Sequence, residues 1–345
     1  MKLSVPSELS EVTATWLSDI LATSPAGNRK SRVRSVQIEP AVKWNHAETA
    51  FLHVEYEENA PNLPTLFFVK LRGQADPLSD IFPGEKNFYE DARNADIPIA
   101  PCFAAIADDT TGATCVLLKD LRATHVSAQW PLPPSLDQCR EALASLAKVH
   151  AYWRQRAGSE LDVREKLLGK HVSEMLPEFI GLLGDRLPKD RAEKLVAACR
   201  KTPELKSSFY SSDKLVTRVH GDAHFWNVLY PKDSAQREAL LIDWEDWRVD
   251  FAGTDLALLI AMHWYPDRRA RHERDLLRYF LSQLNSHISE PVTWDDLWHE
   301  YRLGLICNSA IPIFQQSVGN AHASWWSHLE RWFLAFDDLK CEELI

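Results

Sequence analysis

The hydrophobic pattern of this chain changes period once, near Asp120, and that change limits the folds open to it. Before it, "RVRSVQIEP", "ETAFLHVEY" and "TLFFVKLRG" alternate or run apolar over strand lengths, with the turn-rich "EENAPNLP" between the last two. They predict three strands of an antiparallel sheet. "GEKNFYEDARNA" reads as a helix, and "IAPCFAAIADDTTGATCVLLKDL" as two further strands around the turn "DDTTG". A leading helix over 8–21 places Leu9, Val12, Trp16, Ile20 and Leu21 at helical spacing, with Ser7 or Ser10 as its cap. After Asp120 the proline-rich "WPLPPSLDQ" leads into a helix with Leu136, Cys139, Leu143, Leu146, Ala147, His150 and Trp153 on one face. Further helices are expected over 162–182, 188–199, 254–264, 268–285 and from 294 to the C-terminus, where Trp325, Leu329, Trp332 and Phe333 share a face.

A chain of 345 residues is long for one core, so the pattern predicts an α+β protein of two lobes, residues 1–120 and 121–345. The formal charge of −10 repels polyphosphate backbones and argues against a general nucleic-acid partner. No window has the length and apolarity of a membrane span, and the N-terminus lacks the apolar stretch of a signal peptide. The scattered cysteines contain no C-x-x-C pair, which suits a reduced, cytoplasmic chain. Oligomeric state is not legible.

Among the later helices lies one β-like island, "NVLYPKDSAQREALLIDWEDW". "VLY" and "ALLI", joined by turn-forming residues, can pair as an antiparallel hairpin. Asn227 then precedes one strand and Asp243 follows the other, both at the open end, where opposed Cα atoms are about 5 Å apart. An amide carbonyl with a carboxylate is an oxygen donor set suited to Mg²⁺. Asp222, on a turn made compliant by Gly221, can face the same space and accept a proton from an attacking hydroxyl. Oriented nucleophile and neutralised phosphate charge are the needs of phosphoryl transfer.

"HGDAHFWN" followed by "LLIDWE" resembles the catalytic and metal loops of the aminoglycoside phosphotransferase, choline kinase and ecdysteroid-kinase-like superfamily, relatives of the protein kinases. The resemblance implies a bilobal protein-kinase-like fold, with residues 1–120 as the nucleotide-binding lobe and 121–345 as the catalytic and acceptor-binding lobe. It implies that Asp222 is the catalytic base, that Asn227 and Asp243 hold Mg²⁺, and that Lys70 of "FFVKL", paired with Glu85, holds the α/β-phosphates of ATP. "VLLKDL", Val116 to Leu121, is similar to the hinge that meets the adenine edge. Asp255 would support the catalytic loop, alongside a plain reading as a first-turn helix acid.

The same comparison exposes a departure. The first hairpin, "EPAVKWNHAETAFL", has no glycine, so backbone amides or the Asn45, His46 and Thr49 side chains would face phosphate. A non-catalytic nucleotide-binding or scaffold protein of this fold is the rival that the departure supports. Read in isolation, His220, Asp222 and His224 also form an H-x-D-x-H pattern, which with Asp243 would make a hydrolytic zinc site. His220 otherwise serves the backbone. Phe225, Trp226, Trp244, Trp247, Trp264 and Tyr265 are expected mainly in the core. The expected reaction is transfer of the ATP γ-phosphate to a small-molecule alcohol. An amino-sugar or choline-like acceptor would be held by aromatic faces or by Glu245, Asp246 and Asp250, and a sterol-like one by apolar walls.

Overall fold

The computed structural model describes residues 4–24, 32–44, 47–58, 63–73, 84–154, 156, 163–211, 216–233 and 238–345. Strands β1 (Val33–Trp44), β2 (Ala47–Tyr56), β3 (Leu66–Arg72), β4 (Cys102–Ala107) and β5 (Thr114–Lys119) form one antiparallel sheet in the order β1-β2-β3-β5-β4. The central strand β3 shows the two-residue period of its sequence. Phe67, Val69 and Leu71 are buried against Trp16, Leu17 and Ile20 of helix α1 (Ala14–Thr23), while Phe68, Lys70 and Arg72 turn to the opposite face. Burial of each such apolar side chain contributes about 1.5–3 kcal/mol, so α1 closes one side of the sheet and leaves the Lys70 side as a cleft. The helix starts later than expected: Thr13 accepts from the Trp16 amide at 3.2 Å and is the cap, and Leu9–Glu11 is a separate 3₁₀ turn.

Helix α2 (Gly84–Asp91) lies between β3 and β4 in sequence, yet its buried face belongs to the other core. Phe88 stacks on Trp244 at 3.8 Å, and Trp247 donates its indole N–H to the Gly84 carbonyl at 3.0 Å. The remainder is mainly helical. A short strand β6 (His125–Ser127) precedes α3 (Leu136–Arg154), α4 (Val163–Leu183) and α5 (Lys189–Ser211). The island then folds as β7 (Val216–Val219), β8 (Val228–Pro231), β9 (Leu240–Leu241) and β10 (Arg248–Phe251). The chain closes with α6 (Ala252–Leu256), a π-helical turn (Ala257–Met262), α7 (Pro266–His287), α8 (Trp294–Cys307), α9 (Ala310–Ser317) and α10 (His322–Asp338).

The hairpin of β8 and β9 is present, with Val228 opposite Leu241, but the single island expected from sequence is in fact two small sheets. β6 adds to β8, and β7 pairs separately with β10. Strands of two to four residues flanked by site residues carry too little pattern to be read alone. The C-terminal segment is three helices rather than one. Gly319, at φ 80°, ends α9 with its amide bonded back to Gln316, and the expected face of α10 is buried.

Helices α6 and α8 meet through a glycine notch. A Cβ on Gly253 would lie 2.1 Å from the Glu300 carbonyl, and one on Gly304 would lie 2.1 Å from the Gly253 carbonyl. That approach seals the Glu300 side chain inside, with neither carboxyl oxygen hydrogen-bonded. Burial pushes the Glu300 carboxyl well above the usual range, against the pull of Arg154. A raised native pKa means that the folded state holds the proton longer than the unfolded chain. Stability from this group is therefore complete below the usual glutamate pKa and falls as pH rises above it, by about 1.4 kcal/mol per pH unit until the native pKa is passed. Glu300→Gln is expected to flatten that decline in urea melts between acid and alkaline pH; parallel profiles for the two proteins would contradict a neutral Glu300.

Candidate active site

The turn after β7 is fixed by one buried carboxylate. Asp255, in α6, accepts from the His220 amide at 2.7 Å and the Gly221 amide at 3.0 Å, with His150 Nε2 3.3 Å away. Burial alone would raise this carboxyl; His150 and His220 outweigh it and hold it below the ordinary aspartate range. Gly221 sits at φ 85°, and a Cβ there would be 2.0 Å from the Asp246 carbonyl. His220 spends both ring nitrogens locally: Nε2 donates to the Ile242 carbonyl at 2.9 Å and Nδ1 accepts from the Asp222 amide at 3.3 Å. No lone pair is left for a metal, so the H-x-D-x-H zinc reading fails.

Past this turn the hairpin brings the polar residues together. Asn227 donates its side-chain N–H to the Asp222 carbonyl at 3.1 Å and carboxylate at 3.2 Å, and the Ile242 amide donates to the Asn227 carbonyl at 3.0 Å. Both partners of the Asn227 amide nitrogen are acceptors, which orients its oxygen away from Asp222. The next residue, Asp243, takes a left-handed backbone at φ 66°. His224 binds the Asn227 amide through Nδ1 at 3.1 Å and sets Nε2 3.4 Å from Asp222. Burial would raise the Asp222 carboxyl, but His224 and the neighbouring imidazoles pull it well below the ordinary range. Burial likewise opposes the His224 charge, and Asp222 outweighs it, leaving that imidazole raised.

Lys70 is the centre of the opposite wall. Its ammonium lies 3.2 Å from Glu85, 2.7 Å from Asp243 and 2.5 Å from Glu245, and Arg72 meets Glu245 at 2.8 Å. Burial would lower the Lys70 pKa; the three carboxylates overcome it and raise it well above the usual value. Glu85 is raised by burial and by Asp243 and Glu245, against the pull of Lys70. Two cations facing three carboxylates leave excess negative charge. Glu85, Asp243 and Glu245 offer oxygens within 4.8 Å of one another, and Asn227, whose side chain can add an amide oxygen, lines the same cleft. Such a set fits Mg²⁺ rather than zinc.

Lys70, Glu85, Asn227 and Asp243 line one end of a cavity of about 690 Å³ between the sheet and the hairpin. Thr49, Phe51, Phe68, Leu118, Leu229 and Ile242 form its walls. The expected hinge borders it: Lys119 and Asp120 donate their amides to Pro101 and Leu66, whereas the Leu121 amide is unspent among the described residues. Arg122 covers the mouth, stacked 3.4 Å over Phe51. Thr49 is buried in this lining; Asn45 and His46 lie outside the described residues.

The structure brings Lys70, Glu85, Asn227 and Asp243 to one cavity, with Asp222 hydrogen-bonded to Asn227 beside it; Arg72, which the sequence reading did not single out, and Glu245, which it offered only as a holder of a cationic acceptor, join this cluster. Arg72 and Glu245 each stand two positions beyond a site residue, so the two-residue period of extended chain was the available signal. Glu245 is engaged with Lys70 and Arg72 and is not an open holder of an amine. Asp250 is fully buried, bonded to Lys206 at 2.7 Å and to the Tyr210 hydroxyl at 3.2 Å, and faces no acceptor. Asp246 is pushed up to about 7 by burial beside Asp222 and Glu245. Phe225, Trp244, Trp247 and Trp264 are core as expected, but Tyr265 is exposed and Trp226 partly so.

The sequence model of the phosphotransferase enzyme family matches residues 66–293. No curated protein sequence matches the chain. Among solved structures the chain is similar to a microcompartment-associated aminopropanol kinase, with 12% identity and a TM-score of 0.58 over 93% of this chain and 94% of that one. It is similar to the choline kinase LicA from Streptococcus pneumoniae at 15% identity and TM-score 0.51, over 89% and 94% of the two chains. The spectinomycin phosphotransferase APH(9)-Ia, solved with ADP and spectinomycin, aligns at 13% identity and TM-score 0.50 over 94% and 99%. At such identities the likeness establishes the fold, which is protein-kinase-like, with an antiparallel N-terminal sheet and a mainly helical C-terminal part.

Gly221 gives the most direct check on this geometry. Gly221→Ala is expected to destabilise by about 2–4 kcal/mol, because a left-handed residue would also meet a backbone oxygen. Gly319 has a similar φ of 80° but open space around it, so Gly319→Ala is expected to cost only about 1–2 kcal/mol. Equal losses in chemical denaturation would show that the Gly221–Asp246 contact does not constrain the turn.

Proposed function

The chain belongs to the phosphotransferase enzyme family, and on that premise we propose that it transfers the γ-phosphate of ATP to a hydroxyl of a small-molecule alcohol. The observation that carries the reading is the meeting of Lys70, Glu85 and Asp243 with Asn227, itself hydrogen-bonded to Asp222, at one end of a nucleotide-sized cavity. The similar structures bear on it through what their descriptions name: an aminopropanol kinase, a choline kinase and a phosphotransferase with ADP bound. In this reading residues 1–120 hold the nucleotide and residues 121–345 supply the base and the acceptor wall.

Each residue has a distinct task. Lys70, held upright by Glu85, meets the α/β-phosphates and exchanges carboxylate partners for phosphate oxygens. Asn227 and Asp243 are the residues that would hold Mg²⁺, with Glu245 close enough to assist. Bound there, Mg²⁺ supplies neutralisation of phosphate charge. Asp222 accepts a hydrogen bond from the acceptor hydroxyl and aims its oxygen at the γ-phosphorus. The new O–P bond forms as the bond from that phosphorus to the bridging oxygen breaks, ADP leaves, and the hydroxyl proton passes to Asp222. A carboxylate this acidic is a weak base, which suits a loose transition state in which the proton moves late and orientation dominates. His224 restrains the Asp222 carboxylate, and Asp255 fixes the loop beneath it. No helix among the described residues is long and apolar enough to cross a membrane, and every cysteine is free. A reduced, cytoplasmic setting is part of the same proposal.

Asp222→Asn is expected to lower phosphate transfer by about 10²–10⁴ while ATP binding, read by calorimetry with Mg²⁺, stays within a few-fold. Unchanged turnover would overturn the role of Asp222. ATP binding by the wild-type protein without phosphate transfer to alcohols of any charge class would favour the non-catalytic reading.

A further inference from the structure

A second cavity, of about 250 Å³, lies between α2, the segment after it and the first half of β4. It is separate from the cleft that Lys70 lines: of the residues bordering the two cavities, only Ala100 is shared. Sites for drug-sized ligands run from about 300 to 1,000 Å³, so this one suits a smaller molecule. Ala92, Ile97, Ile99 and Phe103 give it apolar walls.

Tyr89 distinguishes this cavity from a packing gap. The other buried tyrosines all spend their hydroxyls: Tyr210 donates to the Val249 carbonyl at 3.0 Å, Tyr230 to the Phe225 carbonyl at 3.0 Å and Tyr301 to Glu273 at 3.2 Å. Tyr89 is as deeply buried and borders the cavity, yet its hydroxyl has no hydrogen-bond partner among the described residues. Leaving such a donor unpaired is costly. Burial, together with the nearby Glu85, Cys102 and Asp243, raises this phenol well above its usual pKa, so it remains an O–H donor.

Just past the end of α2, the exposed Arg93 borders the same cavity and forms no ion pair among the described residues. The acids of this stretch are engaged elsewhere: Glu90 with Lys86 at 2.6 Å, Asp91 with Arg218 at 2.5 Å and Asp96 with Lys148 at 3.6 Å. Glu85, one helical turn before Tyr89, is paired with Lys70 at 3.2 Å. The remaining polar side chain of the lining, Cys102, donates its thiol to the Ala104 carbonyl at 3.3 Å. The cavity therefore offers two uncommitted side-chain donors, one of them a guanidinium whose planar fork matches a carboxylate.

We propose that this cavity is a second ligand site, which takes a small carboxylic acid with a compact apolar body. The carboxylate accepts from the Tyr89 hydroxyl and the Arg93 guanidinium, and the apolar body packs on Ile97, Ile99 and Phe103. A neutral amide of the same shape forfeits the charge, and an amine meets Arg93 with the wrong sign. The inference concerns binding alone and does not depend on the phosphotransfer reading.

Calorimetric titration of the full chain with acetate, hexanoate and benzoate, each set beside its matching amide and amine, tests the site. At least one acid is expected to bind and to exceed its amide by about tenfold to a hundredfold, the scale of one charge-assisted hydrogen bond. Tyr89→Phe deletes only the unpaired hydroxyl, so its urea melt should match that of the wild type while affinity for that acid falls about tenfold. Arg93→Gln, at an exposed position, should close the gap between acid and amide. No binding by any of the acids would leave the cavity to water and overturn the proposal. Equal affinity for acid and amide, or acid binding unchanged in either variant, would overturn it as well. A destabilised Tyr89→Phe would show that the hydroxyl is already satisfied within the protein and would count against the site in the same way.

Discussion

The Lys70 ammonium is the constraint on which the rest of the site depends. A largely buried positive charge is tolerable only among paired acceptors, and its three carboxylates come from places far apart in sequence: Glu85 from α2, and Asp243 and Glu245 from beyond the hairpin. The sheet, the inserted helix and the hairpin must therefore all be correctly placed for any one of the contacts to form. Removing a single partner would leave charge excess inside a low-dielectric cleft, so the cluster acts as a joint between the two halves of the chain as well as a site for chemistry.

Placement of α2 is a packing problem solved by the same short segment. In "DWEDW" the acids Asp243 and Glu245 face Lys70, while Trp244 stacks on Phe88 and Trp247 caps the Gly84 carbonyl. The indoles hold the helix and the carboxylates meet its glutamate. On the far side of the hairpin, Asp255, His150 and His220 make a buried polar network that fixes the Gly221 turn, and the glycine notch between α6 and α8 anchors the helix that carries Asp255. This network supports the turn from which Asp222 meets Asn227.

The segment that carries the candidate site was legible in the sequence because its residues lie close together in the chain. Asp222, Asn227 and Asp243 lie on one turn and one hairpin, and two short apolar runs joined by turn-forming residues were enough to predict that they converge. Arg72, two positions beyond Lys70, was passed over and Glu245 was read only as a holder of a cationic acceptor, since the value of each depends on what stands across the cleft. Asp250 misled for the corresponding reason: an acid near the motif, it is consumed by Lys206, Tyr210 and Arg248, contacts visible only in three dimensions. The β7 and β10 strands were too short to show a pattern, and the single C-terminal helix resolved into three, broken at Asn308–Ser309 and again at the left-handed Gly319. Zinc ligation by His220 was excluded by hydrogen bonds to its own hairpin, which no spacing rule encodes.

Charge divides the site into two sides. Toward Lys70 the cleft holds more carboxylates than cations, as an oxygen-ligated divalent ion requires; toward α10 stand the imidazoles of His224, His263 and His328. Asp222 lies between them. A crystal structure of the protein soaked with ADP and Mn²⁺, with anomalous scattering used to locate the metal, tests this arrangement most directly. The account predicts an anomalous peak within ligand distance of the Asn227 carbonyl oxygen and the Asp243 carboxylate, with the diphosphate beside Lys70. A peak on His224 or His263, or a nucleotide bound outside the cavity that Lys70 lines, would contradict it.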